Sequence, residues 1–207
     1  MPLEASGQLE NTTVIYSSDH GDNVGARGLW GKGNMYEESV AVPLIVAGPG
    51  IEPGTCATPV SLLDVSQTII DHFGATLEGD RPGESLLDIA ARGHDPDRAV
   101  FSEYHAVGAV SGAFMLRKGR WKLIHYHGFE LELFDLLVDP EESTNRAADP
   151  ACADVLAALY ADLGAICDPA ATNDRAFADQ DAMIAGYGGP EAAASMGAPS
   201  ATPPPKT

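Results

Sequence analysis

The chain has 207 residues, 44% of them apolar, and a formal net charge of -18 from 12 Lys+Arg against 30 Asp+Glu. That length supports a real core. The acidic balance excludes a nucleic-acid binder, which needs a basic face for phosphates, and no apolar run approaches the roughly 20 residues of a membrane span. The expected partners are therefore a small molecule and protein, with neither nucleic acid nor membrane.

The N-terminal residues lack the basic and apolar regions of a secretory signal, so a cytoplasmic location is the expectation. Three scattered cysteines, Cys56, Cys152 and Cys167, form neither a disulfide framework nor a zinc spacing.

Leu3 to Ser6 reads as the last turn of a helix, with Gly7 as its stop. One turn cannot nucleate alone, so the chain is expected to begin inside an element. Thr12 to Ser17 is β-branched and aromatic and predicts a strand, with Val14-Ile15-Tyr16 suited to a parallel sheet buried on both faces. Gly21 to Lys32, with no apolar period and several glycines, predicts a loop. Val40 to Ala47 predicts a second strand, and Ser61 to Phe73 a helix stopped by Gly74.

Ala99 to Tyr104 predicts a third strand. Phe114 to Arg117 and Trp121 to Tyr126 predict a hairpin turning at Gly119, and Leu131 to Leu136 a further strand. Asp149-Pro150 opens a helix with Val155, Leu156, Leu159 and Leu163 on one face, and Asp174 to Tyr187 predicts another. From Gly188 the composition is Gly, Ala, Pro and Ser, as in a disordered tail or one packed on a partner. The order predicts an α/β fold: part of a mixed sheet flanked by helices, plus a small C-terminal α+β subdomain with a hairpin. The expected units are residues 1–98, 99–187 and the tail 188–207.

Asp19 and His20 stand at the end of the first strand, where ligands of open α/β sheets collect. A carboxylate and an imidazole there can hold a divalent metal, and Lys32 on the following loop can hold an anion beside it. A bare Asp-His pair more often caps a turn, so the wider pattern carries the reading. Ser18 to Ser39 reads S-D-H-G-D-x-x-G-x-x-G-L-W-G-K-x-x-x-Y-E-E-S, followed by V-P-L-I-V at Val42 to Val46. Further on come P-V-S-L-L-D at Pro59 to Asp64, P-G-E-S-L-L at Pro82 to Leu87, W-K-L-I at Trp121 to Ile124, L-F-D-L at Leu133 to Leu136 and D-P-E-E at Asp139 to Glu142. As a set these resemble the sulfatases of the alkaline phosphatase superfamily, over about residues 3–187.

The resemblance implies a metal-dependent hydrolase of sulfate esters. Asp19 and His20 match the later pair of metal ligands, for Ca²⁺ by family and Mn²⁺ or Zn²⁺ as alternatives, and Lys32 matches the lysine that contacts the sulfate oxygens. His105, at the end of the third strand, is a weaker candidate for substrate contact. The family's formylglycine arises in a C/S-x-P/A-S/A-R motif, and none of the three cysteines lies in one. The resemblance thus implies a C-terminal portion, incomplete as an enzyme alone, whose nucleophile and first ligand pair come from an upstream polypeptide. The alternatives are a phosphonate or phosphate monoester hydrolase of the same superfamily and a non-catalytic interaction fragment. Homo-oligomerisation stays open.

Four other features carry structural expectations. Asp22 is placed to orient His20. Glu37 and Glu38 are expected to buttress the Lys32 loop. Arg117, Lys118, Arg120 and Lys122 read as a solvated face on a hairpin. His125 and His127 share a strand face without a third ligand nearby.

Overall fold

The computed structural model describes residues 2–76, 78–79, 81–106 and 108–195. Helix α1, Pro2–Ala5, is a single turn. The Gln8 N–H donates to Leu3 O, and Gly7 has φ 70°, as expected of a glycine-stopped helix end. Strand β1, Val14–Ser17, is followed by a long loop, the single-turn helix α2, Glu37–Val40, and strand β2, Leu44–Ala47.

β1 pairs with β2 antiparallel, from Val14 opposite Ala47 to Ser17 opposite Leu44, as a two-stranded ribbon. This corrects the expectation of a parallel sheet buried on both faces. Tyr16 is 60% and Ile45 61% exposed. An apolar run reports a demand for cover and leaves the direction of the neighbouring strand undetermined.

Helix α3, Leu62–His72, starts at Ser61 with a reciprocal cap. The Leu63 N–H donates to Ser61 Oγ at 3.3 Å, and the Ser61 N–H donates to Asp64 Oδ2 at 2.7 Å. Asp64, fully buried, also accepts from the Glu84 N–H at 2.9 Å and from Arg98 Nη2 at 2.6 Å. The P-V-S-L-L-D and P-G-E-S-L-L segments are thereby tied together. A Cβ on Gly83 would stand 2.3 Å from Leu63 O, so the close approach demands glycine. Helix α4, Leu86–Arg92, follows and lies outside the sequence expectations. Its Ser85 cap was the available signal.

Strands β3, Ala99–Tyr104, β4, Ala113–Lys118, β5, Trp121–Tyr126, and β6, Glu132–Asp135, form one antiparallel meander in chain order. Their two-residue alternation divides the core. Phe114, Leu116, Leu123 and Leu133 face one way and pack against Cys152, Leu159 and Leu163. The latter two belong to helix α5, Ala153–Ile166. Ala113, Met115, Ile124 and Phe134 face the other way and pack against Met35, Tyr36 and Val40 of the loop region. Phe114 is 0% exposed, and truncation to alanine there would cost about 3–5 kcal/mol.

Helix α6, Pro169–Gly186, begins five residues earlier than the apolar pattern predicts. Asp168 caps it and proline opens it, the same device as Asp149-Pro150 before α5. Helix α7, Pro190–Ser195, lies near the start of the segment expected to be disordered or packed on a partner. The rest of that segment, 196–207, lies outside the described residues. No single helix among the described residues is long and apolar enough to cross a membrane.

Candidate metal and anion site

The turn after β1 is held by a close approach. The Gly21 N–H donates to Ser39 O at 2.9 Å. A Cβ at position 21 would lie 2.0 Å from Glu38 O, so only glycine lets the strand end press against α2. The turn carries Asp19 and His20 side by side. His20 Nδ1 lies 2.7 Å from Gly21 O. A carbonyl only accepts, so Nδ1 carries a proton and Nε2 is the nitrogen turned toward Asp19 and Lys32. Asp19 Oδ2 is 3.2 Å from that Nε2.

The loop returns Lys32 to this pair. Asp22 Oδ1 accepts from the Val24 N–H at 2.9 Å and from the Gly31 N–H at 3.2 Å. Buried Asn23 donates from Nδ2 to Gly31 O at 2.5 Å and to Ser39 Oγ at 3.0 Å. These bonds close the loop at its neck, and Lys32 emerges one residue later with Nζ donating to His20 Nε2. Asp22 therefore closes the loop and makes no bond to His20, whose ring is oriented by the Gly21 carbonyl. Asn23 was not singled out from the sequence; a buried amide inside a glycine-rich loop has no periodic signature.

Asp19, His20 and Lys32 thus meet at one point. Burial is the largest single influence on the Asp19 carboxyl and raises it, but His20, two backbone N–H groups and Lys32 together hold it below the ordinary range. One carboxylate oxygen and one imidazole nitrogen, with an ammonium against them, meet at the strand end.

A second set of charges clamps the loop from below. Lys122, on β5, is fully buried, with Nζ 2.8 Å from Glu37 Oε1 and 2.6 Å from Glu142 Oε1. Glu142 Oε2 accepts from the Glu37 N–H at 2.7 Å. Arg27 Nη1 pairs with Glu38, Nη2 donates to Glu141 O, and the guanidinium lies 4.3 Å from the Tyr36 ring centre. Arg27 and Glu142 hold φ values of 54° and 50°, the strained left-handed region for non-glycine residues. Glu37 and Glu38 do buttress the loop. The expectation of a solvated face fails at Lys122, because the register of β5 turns that side chain under the loop rather than into water. Burial pushes the Glu142 carboxyl up, and Lys122 pulls it back. Burial, then Glu132, raises the Tyr36 phenol.

Asp19, His20, Lys32, Glu37, Tyr104 and Arg117 line a cleft of about 770 Å³. His105 is not among its lining residues. The His105 ring packs edge-on to Phe114 at 5.4 Å, and Nε2 lies 3.5 Å from Glu103 Oε2. His125 stacks on Tyr160 at 5.7 Å and on His127 at 6.2 Å, a packing role against α5. Cys152 is buried in the core and Cys56 borders the cleft, while burial raises the Cys167 thiol.

The family described as N-sulphoglucosamine sulphohydrolase, C-terminal, matches residues 25–168, more than half of the chain. This chain belongs to that family, as the C-terminal portion of a sulfatase. A choline-sulfatase of Rhizobium meliloti is 42% identical over 151 residues, which cover 72% of this chain and 29% of that protein. The chain thus spans under a third of that sulfatase. A solved structure in complex with its substrate D-glucosamine-2-N,6-O-disulfate is 27% identical with a TM-score of 0.69, covering 86% of this chain and 37% of that one. A phosphonate monoester hydrolase from Silicibacter pomeroyi is 28% identical with a TM-score of 0.66, covering 78% and 36%.

The donor chemistry fits a divalent ion in part. Asp19 and His20 supply two adjacent donors. Among the described residues no cluster of three or more His, Cys, Asp or Glu side chains could hold a metal. Zinc takes four ligands and calcium six to eight. The pair alone therefore offers fewer donors than either ion takes.

Proposed function

We propose that this sulfatase portion supplies the anion-binding wall of a metal-dependent sulfate-ester hydrolase. The observation that carries the reading is the convergence of Asp19, His20 and Lys32 at the rim of the cleft. Asp19 Oδ2 and His20 Nε2 would hold the ion, whose charge, when bound, neutralises the ester oxygens. Calcium is the proposed metal, with Mn²⁺ or Zn²⁺ favoured to the extent that the imidazole nitrogen contributes.

Lys32 Nζ contacts His20 Nε2, beside the pair. From there the ammonium would donate to the sulfate. There it steadies the negative charge that builds on the oxygens as the ester bond breaks. The Gly21 carbonyl, held at His20 Nδ1, would keep Nε2 turned toward the ion. In this reading the nucleophile and the remaining ligands come from a polypeptide outside these residues, which span under a third of the matched choline-sulfatase.

A phosphonate or phosphate monoester is the second reading, favoured by the likeness to a phosphonate monoester hydrolase. The test assays this chain joined to its upstream segment on matched aryl sulfates and aryl phosphonate monoesters. Faster sulfate hydrolysis is expected, with Lys32→Ala lowering kcat/KM by roughly 10²–10³-fold. Equal rates on both esters would remove the support for sulfate as the substrate class.

A further inference from the structure

A second cavity, of about 510 Å³, opens beside the first. Its walls include Gly33, Tyr104, Tyr126, Phe129, Glu130 and Glu132. Tyr104 lines both cavities, and Gly33 is the residue after Lys32, so the two spaces adjoin at the proposed anion site. The volume lies within the range of small-molecule pockets.

The chemistry of the two spaces is opposite. Lys32 presents an ammonium to the first. No basic side chain lines the second, among the described residues; three aromatic rings and two carboxylates do. Glu132 Oε1 accepts from the Tyr36 hydroxyl at 3.0 Å, whereas its Oε2 is buried without a hydrogen-bond partner. A carboxylate oxygen left in that state favours a cation nearby, and ring faces attract cations that are weakly hydrated. Such walls repel sulfate and phosphate, so this space does not serve as a second anion site. Phe129 is 61% exposed and Glu130 is exposed, so both stand at the rim of the pocket.

We propose that this aromatic and acidic pocket receives a cationic group, such as a quaternary ammonium, on the alcohol half of the ester whose anionic end faces Lys32. The substrate would then be a short zwitterion, because the two spaces are bordered by consecutive residues. The inference rests on the sulfatase reading for its anionic end and on the pocket alone for its cationic end.

Two measurements separate those supports. The first is calorimetric titration of the purified chain with tetramethylammonium chloride. Saturable binding is expected, weakened about tenfold in Phe129→Ala and in Glu130→Gln. Neither exposed substitution disturbs the core. Absence of saturable binding, or equal affinity in all three proteins, overturns the proposal, and neither result involves turnover. The second compares kcat/KM for trimethylammonium-ethyl sulfate and its uncharged tert-butyl-ethyl isostere, using the chain joined to its upstream segment. A preference of about tenfold or more for the cationic ester supports the pocket. Parity overturns it while leaving the sulfatase reading standing. Failure to hydrolyse any sulfate ester instead overturns the sulfatase reading, and the titration alone then settles the pocket.

Discussion

Lys122 Nζ lies 2.6 Å from Glu142 Oε1, and both side chains are fully buried. The pair joins the centre of the meander to the D-P-E-E turn, and Glu37 draws the Lys32 loop onto it. Removing one member of a buried pair strands the other's charge. Lys122→Met is expected to cost about 3–5 kcal/mol in urea denaturation. Adding Glu142→Gln to it should restore part of that loss, since one of the two stranded carboxylates disappears. Strictly additive losses would show that the pair is not coupled.

Glu132 and Asp135, at the two ends of β6, carry opposite pH signatures. Burial raises the Glu132 carboxyl above its ordinary 4.5, though Tyr36 and the nearby cations oppose it. The native state thus holds that proton more tightly than the unfolded chain. Its contribution is present below pH 4.5 and is lost as pH rises through the folded value. The hydrogen bond from Arg120 lowers Asp135 below 3.8, so its contribution is present above that pH and lost as pH falls through the folded value. Glu132→Gln should therefore raise the urea midpoint increasingly toward neutral pH. Asp135→Asn should lower it at neutral pH and flatten its fall in acid. Parallel curves for wild type and either variant would contradict these assignments.

Gly21→Ala tests the strand-end geometry. The added methyl meets Glu38 O at 2.0 Å, so the turn must move. A stability loss of about 1–3 kcal/mol is expected, together with weaker Mn²⁺ binding in calorimetric titration. Gly54→Ala, with open space around the added Cβ, is the control and should change neither. Wild-type Mn²⁺ affinity in Gly21→Ala would separate the turn from the site.

Asp64→Ala should be among the most damaging single changes. It deprives two backbone N–H groups and Arg98 of their acceptor at once. A loss of about 3 kcal/mol or more is expected by thermal or urea unfolding. A loss below about 0.5 kcal/mol would mean that water replaces the carboxylate.

Much of this was legible in the residues. The segments expected as strands after Ala99 became β3 to β6, with the hairpin of β4 and β5 turning at Gly119. Apolar spacing from Leu62 to Phe73 and the stop at Gly74 located α3. The ribbon direction was not legible, because Val14-Ile15-Tyr16 has the composition of a strand in either kind of sheet. Nor was the start of α6, although Asp168-Pro169 carried the same signal as Asp149-Pro150. At the site, Asp19, His20 and Lys32 could be read from one segment. Their support could not. Lys122 and Glu142 look like surface charges in sequence, and only the register of β5 and the left-handed turn at Glu142 bring them beneath the loop.

The bond between Glu37 and Lys122 spans 85 residues of chain. The hairpin that carries Lys122 closes through local contacts, whereas the loop must wait for a distant partner. During synthesis the segment bearing His20 and Lys32 emerges well before its anchor. A ribosome paused between Glu37 and Lys122 would therefore display an unclamped loop, and this part of the molecule acquires its final shape only after the meander has formed.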